Sequence, residues 1–184
     1  MVSLQLLMNI LEMLCLSSGC FPDIIKCLRV IPIYKKGPLC ETSNYRPISL
    51  TPIISKIIES VIKKRLLAYF EQHNLFVKIK FGFRPGLSTT RAITEIVNTL
   101  TTALEQGKLA SVTLCDLSKV FDCVVHDVLL QKLNHYHISG KALSLIKSYL
   151  SGLDSVCCIP QGSILGPILF LIYENDLPKN LSFC

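Results

Sequence analysis

Residues 112–121 read Val-Thr-Leu-Cys-Asp-Leu-Ser-Lys-Val-Phe, and this stretch constrains the chain more than any other. A short apolar run closes on a carboxylate, Asp116. Phe121 follows five residues later, and Asp122 directly after it. A carboxylate at the end of a buried strand is costly unless it holds a metal or another cation. The run therefore asks for a sheet that fixes Asp116 and for a cation beside it. The same pattern, taken alone, also fits an aspartate capping the turn that follows.

The flanking sequence supplies helices and strands in alternation. Leu4, Leu7, Leu11 and Leu14 fall on one helical face that Gly19 ends. Residues 28–34 predict a strand, with Pro32 pointing to an edge or a bulge. Residues 35–38 form a turn and residues 44–47 an irregular stretch. Thr51-Pro52 predicts a helix start, with Thr51 as cap and Pro52 at the first helical position. The expected buried face is Ile53, Ile57, Ile58, Val61, Ile62 and Leu66, and the helix reaches about His73. After a loop over 81–87, Ser88 caps a helix that buries Ala92, Ile93, Ile96, Leu100 and Ala103/Leu104, and Gly107 ends it. Residues 109–116 are the strand that presents Asp116. Helices near 125–136 and 140–150 follow, the second capped by Ser139. A last helix near 164–176 buries Ile168, Leu169 and Ile172. The expected class is α/β (α+β) with mixed sheets. No G-x-G-x-x-G and no Walker loop occurs, which disfavours dinucleotide and P-loop folds.

Charge is unevenly placed. The chain carries +6 overall, but residues 26–91 hold thirteen Lys/Arg against Glu41, Glu59 and Glu71, a net +10, and the rest of the chain is acidic. A basic half beside an acidic half suits a polyanion held near a metal-binding carboxylate, although a solvated basic face gives the same count. The nine cysteines are odd in number, form no C-x-x-C pair and show no zinc-finger spacing, so reduced intracellular thiols are expected. The apolar N-terminus lacks a basic lead and carries Glu12, which argues against a secretory signal. Residues 164–173 are too few to span a bilayer. An intracellular protein of nucleus or cytoplasm, without membrane contact, is expected.

Six blocks in order narrow the reading: residues 29–37 (Arg-Val-Ile-Pro-Ile-Tyr-Lys-Lys-Gly), 44–50 (Asn-Tyr-Arg-Pro-Ile-Ser-Leu), 81–89 (Phe-Gly-Phe-Arg-Pro-Gly-Leu-Ser-Thr), 116–127 from Asp116 to His126-Asp127, 159–167 with Pro-Gln-Gly, and 170–178 ending Asn-Asp-Leu-Pro. Together they resemble the reverse transcriptase domain of non-LTR (LINE-type) retrotransposons. The resemblance implies the fingers and part of the palm of a right-hand polymerase, with residues 1–108 mainly fingers and 109–184 fingers and palm. It implies an RNA template, a DNA primer, deoxynucleoside triphosphates and Mg²⁺.

Site residues carry over position by position. Asp116 matches the first catalytic, metal-binding aspartate, and Leu117 is placed to offer its backbone carbonyl to the metal. Phe121 matches the aromatic gate that excludes a ribose 2′-hydroxyl by clash; its alternative is a core phenylalanine. Either Lys35 or Lys36, with Arg46, matches the fingers cations that hold the triphosphate, where an arginine fork can bond phosphate oxygens in pairs. Gln161 and Gly162 match the nucleotide-side Pro-Gln-Gly motif. Arg84 is expected on template phosphate, as are Lys63, Lys64 and Arg65 unless they simply face water. Asp127 is expected to cap a helix and His126 to be structural.

Departures from the family pattern set limits. No Asp-Asp pair occurs among the 184 residues, and neither a thumb nor an endonuclease region is recognisable. The path from Ser151 to Pro160 is short for a β-hairpin. Val125 stands where the family has aspartate, and Glu174 where it has an apolar residue. The expectation is a truncated polymerase piece that is inactive alone. A non-catalytic nucleic-acid-binding remnant and a non-functional retroelement product are the alternatives, with a group II intron-type maturase as a weaker relative.

Overall fold

The longest helix, α1, covers Ile53–Gln72. It buries Ser55, Ile58, Glu59, Ile62, Leu66 and Phe70, a stripe at three- and four-residue spacing. The computed structural model describes residues 9, 13–113, 124–151 and 162–177. The buried stripe differs from the expected one. Ile53 is exposed, and two polar residues, Ser55 and Glu59, take its place inside. The start also shifts by one residue: Pro52 is the cap and Thr51 lies before it.

Two strands precede α1. Strand β1 (Arg29–Tyr34) and strand β2 (Tyr45–Leu50) form an antiparallel ribbon in which Pro32 faces Pro47. The second strand occupies ground expected to be irregular. Its proline is tolerated for a geometric reason. The Lys35 amide donates to the Asn44 carbonyl at 2.8 Å, and alternation along the ladder makes Pro32–Pro47 a non-hydrogen-bonded pair. Neither proline is asked for an inward N–H, and each removes an outward one, which blunts the edges. Tyr34 and Tyr45 stack edge-on across the ribbon at 5.7 Å. All six residues of β1 are exposed.

Helix α2 (Thr89–Glu105) starts where expected, with the Ser88 hydroxyl accepting from the Arg91 amide at 3.2 Å. It ends in a Schellman turn: Lys108 N–H bonds Ala103 O and Gly107 N–H bonds Leu104 O, both at 2.9 Å, with Gly107 at φ 68°. The same paired bonds close α1 at Asn74 (φ 52°). The expected burial of α2 is not found. None of its residues is buried, and Ile93, Ile96, Val97 and Leu104 face outward.

Residues 109–113, expected to begin the strand of Asp116, have no regular structure, and Leu109 is fully exposed. The rest of that run lies outside the described residues. Among the described residues the only sheet is the β1–β2 ribbon, and they form a mixed, mostly helical structure with one antiparallel hairpin.

Helices α3 (His126–His135), α4 (Gly140–Ser151) and α5 (Gly166–Tyr173) close the core against α1. Helix α5 is apolar nearly all round and buries Ile168, Leu169, Leu171 and Ile172, as a central helix must. Phe70 of α1 packs between Phe76 and Tyr136, with ring centroids 4.8 and 5.0 Å away. No helix among the described residues is long and apolar enough to cross a membrane.

Helix α3 starts without a side-chain cap. Its cap is Val125, whose side chain makes no capping bond, and Asp127 lies inside the first turn rather than at the cap expected for it. Asp127 still favours the positive helix start. Val125→Asp should supply an acceptor for the orphan amides and raise stability by about 1 kcal/mol, a gain of about 2–4 °C in thermal melts.

Candidate functional site

Beyond the hairpin, the chain returns to β2 at the turn that starts with Gly162. This glycine has φ 109°, and a Cβ on it would lie 2.7 Å from the Ser49 carbonyl oxygen and 3.5 Å from Ile48 Cγ2. Only glycine allows backbone to meet backbone this closely in that conformation. Ser49 belongs to a non-hydrogen-bonded pair, so its carbonyl points away from β1, and the turn seats on the outer edge of β2.

That contact places Gly162 against the strand that carries Arg46. Arg46 lies on β2, three residues before Ser49, and is exposed. The register places Lys35 one diagonal step from Arg46 on the same face of the ribbon. Lys36 is exposed in the connecting turn. Lys35 and Lys36 thus lie at the turn end of the ribbon, five residues or about 17 Å along the strand from Ser49, where the Gly162 turn sits, with Arg46 between them. Asp116, Leu117, Phe121 and Gln161 lie outside the described residues. Among the described residues, no three His, Cys, Asp or Glu side chains are grouped to hold a metal ion.

The turn is held from below by a carboxylate. Glu59 is wholly buried, and its Oε2 accepts the amides of Ile164 at 2.8 Å and Leu165 at 3.1 Å. Its Oε1 accepts the Ser55 hydroxyl at 3.1 Å. Ser163 completes the arrangement, its hydroxyl accepting from the Gly166 amide at 2.8 Å. Tyr149 is buried beside them. Burial first, and the Glu59 charge second, push its hydroxyl well above the ordinary tyrosine value; Ser163 nearby opposes this. The Tyr149 hydroxyl makes no hydrogen bond of good geometry.

The remaining expected cations lie elsewhere. Lys64 and Arg65 are exposed on α1 and Lys63 is half-buried. Arg65 borders a cleft of about 470 Å³ between α1 and α4, with Leu66, Tyr69, His137 and Lys141 among its walls. Arg84 sits near the far end of α1. Its guanidinium forks onto Glu71, with Nε–Oε1 2.8 Å and Nη2–Oε2 2.7 Å, and stacks over Phe76 at 5.1 Å. Glu71 is twelve residues from Glu59, about 18 Å along a helix. Arg84 therefore shapes the loop over 77–84 through Glu71 and is remote from the Gly162 turn.

Three anchors escape a reading by motif. Asn175, inside the Asn-Asp-Leu-Pro block, is wholly buried. It accepts the Val77 amide at 3.1 Å and donates to Leu75 O and the Tyr136 hydroxyl at 2.9 Å each. Glu174 pairs with Lys80 at 2.8 Å and so ties the end of α5 to the same loop. Glu59 had one signal in the sequence: it stands on the buried stripe of α1, four residues after Ser55 and three before Ile62.

Residues 33–183 match the family described as reverse transcriptase (RNA-dependent DNA polymerase), and the chain belongs to that family. It is 32% identical over 162 residues, 80% of its length, to the probable RNA-directed DNA polymerase from transposon X-element of Drosophila melanogaster. It is 34% identical over 177 residues, 88% of its length, to the RNA-directed DNA polymerase from mobile element jockey of Drosophila funebris. A further relative, the probable RNA-directed DNA polymerase from transposon BS of Drosophila melanogaster, is 29% identical over 86% of the chain. The matches span 18%, 19% and 19% of these relatives, so the chain corresponds to less than a fifth of each. The resemblance to non-LTR retrotransposon enzymes read from the six blocks therefore holds.

The Glu71–Arg84 pair gives a pH signature. The hydrogen bonds from Arg84 lower the Glu71 pKa from its ordinary 4.5, against a smaller opposing effect of burial, and the Arg84 charge adds to the lowering. A carboxylate depressed in the folded state stabilises above its unfolded pKa, and the gain is lost as pH falls through the folded value. Arg84→Ala should lower the Tm at pH 7, and the gap to the unaltered chain should narrow below pH 4.5. Thermal melts from pH 7 to pH 3 check this.

Proposed function

We propose that this chain serves as the nucleotide- and nucleic-acid-holding portion of an RNA-directed DNA polymerase of the non-LTR retrotransposon type. In this reading residues 1–108 are mainly fingers, and residues 109–184 join fingers to palm. The observation that supports it is the seating of the Gly162 turn on β2, the strand that carries the exposed Arg46. A triphosphate needs several cations on one surface and a backbone that lets it approach closely. Arg46, Lys35 and Lys36 are exposed cations of the ribbon, and Gly162 brings a backbone without a side chain against the strand of Arg46.

The roles follow from the chemistry. Arg46 and one of Lys35 or Lys36 hold phosphate oxygens of the incoming nucleotide, and Gly162 with Gln161 lines its base and template side. Phe121 excludes a 2′-hydroxyl. Asp116 and the Leu117 carbonyl supply oxygen ligands to Mg²⁺, which when bound neutralises charge on the transferring phosphate. Lys63, Lys64 and Arg65 track the RNA–DNA backbone. A two-metal reaction needs more carboxylates than Asp116 alone, and the 184 residues contain no Asp-Asp pair. The chain alone therefore holds substrate without polymerising it.

A second reading, a non-catalytic nucleic-acid-binding protein, is favoured by the exposed basic residues within the +10 span and shares the first part of the test. Binding of an RNA template annealed to a DNA primer, followed by fluorescence anisotropy, should weaken steeply with salt. Lys64→Ala and Arg65→Ala should each lower the salt slope by about one. Primer extension with Mg²⁺ and all four deoxynucleoside triphosphates should give no product. Binding of deoxynucleotide that falls in Arg46→Ala separates the polymerase reading from the second one. Salt-insensitive or absent duplex binding contradicts both, and incorporation abolished by Asp116→Ala contradicts inactivity.

A further inference from the structure

Among the described residues, Glu59 is a carboxylate buried without a cation. Among these residues no lysine or arginine bonds it; two backbone amides and a serine hydroxyl donate to it, and the buried Tyr149 hydroxyl lies beside it. A buried charge of this kind persists only where its acceptor capacity is filled by well-placed donors. The two amides belong to Ile164 and Leu165, at the entry to α5, and the turn they sit in carries Gly162. One turn of chain separates the carboxylate from the contact with Ser49. Glu59 lies on α1 and Ser49 on β2, joined only by residues 50–52 and the first turns of the helix. The carboxylate thus closes a short circuit: β2 to α1 by the chain, α1 to the Gly162 turn by Glu59, and the Gly162 turn back to β2 by backbone contact.

We infer that Glu59 is a positioning residue that sets the spacing between the Gly162 turn and the strand carrying Arg46. It touches neither nucleotide nor metal. Its two amide bonds decide where the turn stands relative to the fingers cations. Ser55 orients the carboxylate from the previous helical turn, and Ser163 holds the Gly166 amide so that the α5 start presents its neighbours to Glu59. The inference rests on the reading that this turn and Arg46 serve one nucleotide.

Glutamine distinguishes positioning by hydrogen bonds from a need for charge. In Glu59→Gln the amide oxygen can accept from Ile164 and Leu165 while the NH₂ donates to Ser55 Oγ, so every bond has a counterpart. Glu59→Ala leaves the two amides buried and unmet. Amide exchange and dTTP titration on the full chain test the idea. In Glu59→Ala, exchange at Ile164 and Leu165 should quicken by at least about tenfold, the scale set by one charge-assisted bond. Residues 45–50 should follow, with α2 unchanged as an internal reference. Glu59→Gln should restore slow exchange and dTTP affinity together. If Glu59→Ala quickens exchange throughout the chain, Glu59→Asp takes its place, since its shorter side chain draws the same charge back from the amides. Unchanged exchange at Ile164 and Leu165, or a glutamine variant as loose as alanine, overturns the inference. Absence of dTTP binding by the unaltered chain contradicts the nucleotide reading instead, and the exchange result still decides whether Glu59 positions the turn.

Discussion

A single carboxylate, Glu59, stands where a helix stripe needs apolar side chains, and the arrangement around the Gly162 turn depends on how that charge is satisfied. Taking a carboxylate out of water costs several kcal/mol even after relaxation. Two amides at the start of α5, reinforced by the positive end of that helix, offset the cost locally. The result is directional. Apolar packing alone lets α5 slide or rotate on α1 with little penalty, whereas a buried carboxylate accepts only the placement that meets its oxygens.

The same logic recurs where irregular segments meet the helices. Asn175 uses its amide to bind the segment after α1 to the turn after α3. Glu174–Lys80 and Glu71–Arg84 hold the loop that follows. The helical core supplies most of the burial, through Phe70, Leu129, Leu133, Ile146 and Ile168 among others. Polar groups then select one arrangement of the connecting segments.

Much of this was legible in the residues. The ends of α2 follow from serine and glycine at their usual places, the start of α1 from Pro52 to within one residue, and α5 from a continuous apolar run. The six blocks led directly to the family. What escaped has physical causes. The expected face of α1 included Ile53, which is exposed, and left out Glu59, whose burial depends on the amides of Ile164 and Leu165 more than a hundred residues away. The stripe of α2 reads as buried from its period, but a period shows only that one face is apolar and not what covers it. Strand β2 was missed because a proline opposite a proline is tolerated only in one register. Glu174 looked like drift until Lys80 supplied its partner.

The central claim is that the Gly162 turn rests on the outer edge of β2. The most direct measurement is a nuclear Overhauser effect between a Gly162 Hα and the Ile48 γ2 methyl, with the methyl group isotopically labelled. The glycine Cβ direction points to within 3.5 Å of that methyl carbon. A strong cross-peak is predicted for the unaltered chain. Its absence, with the α1–α5 cross-peaks between Glu59 and Leu165 intact, would contradict the account.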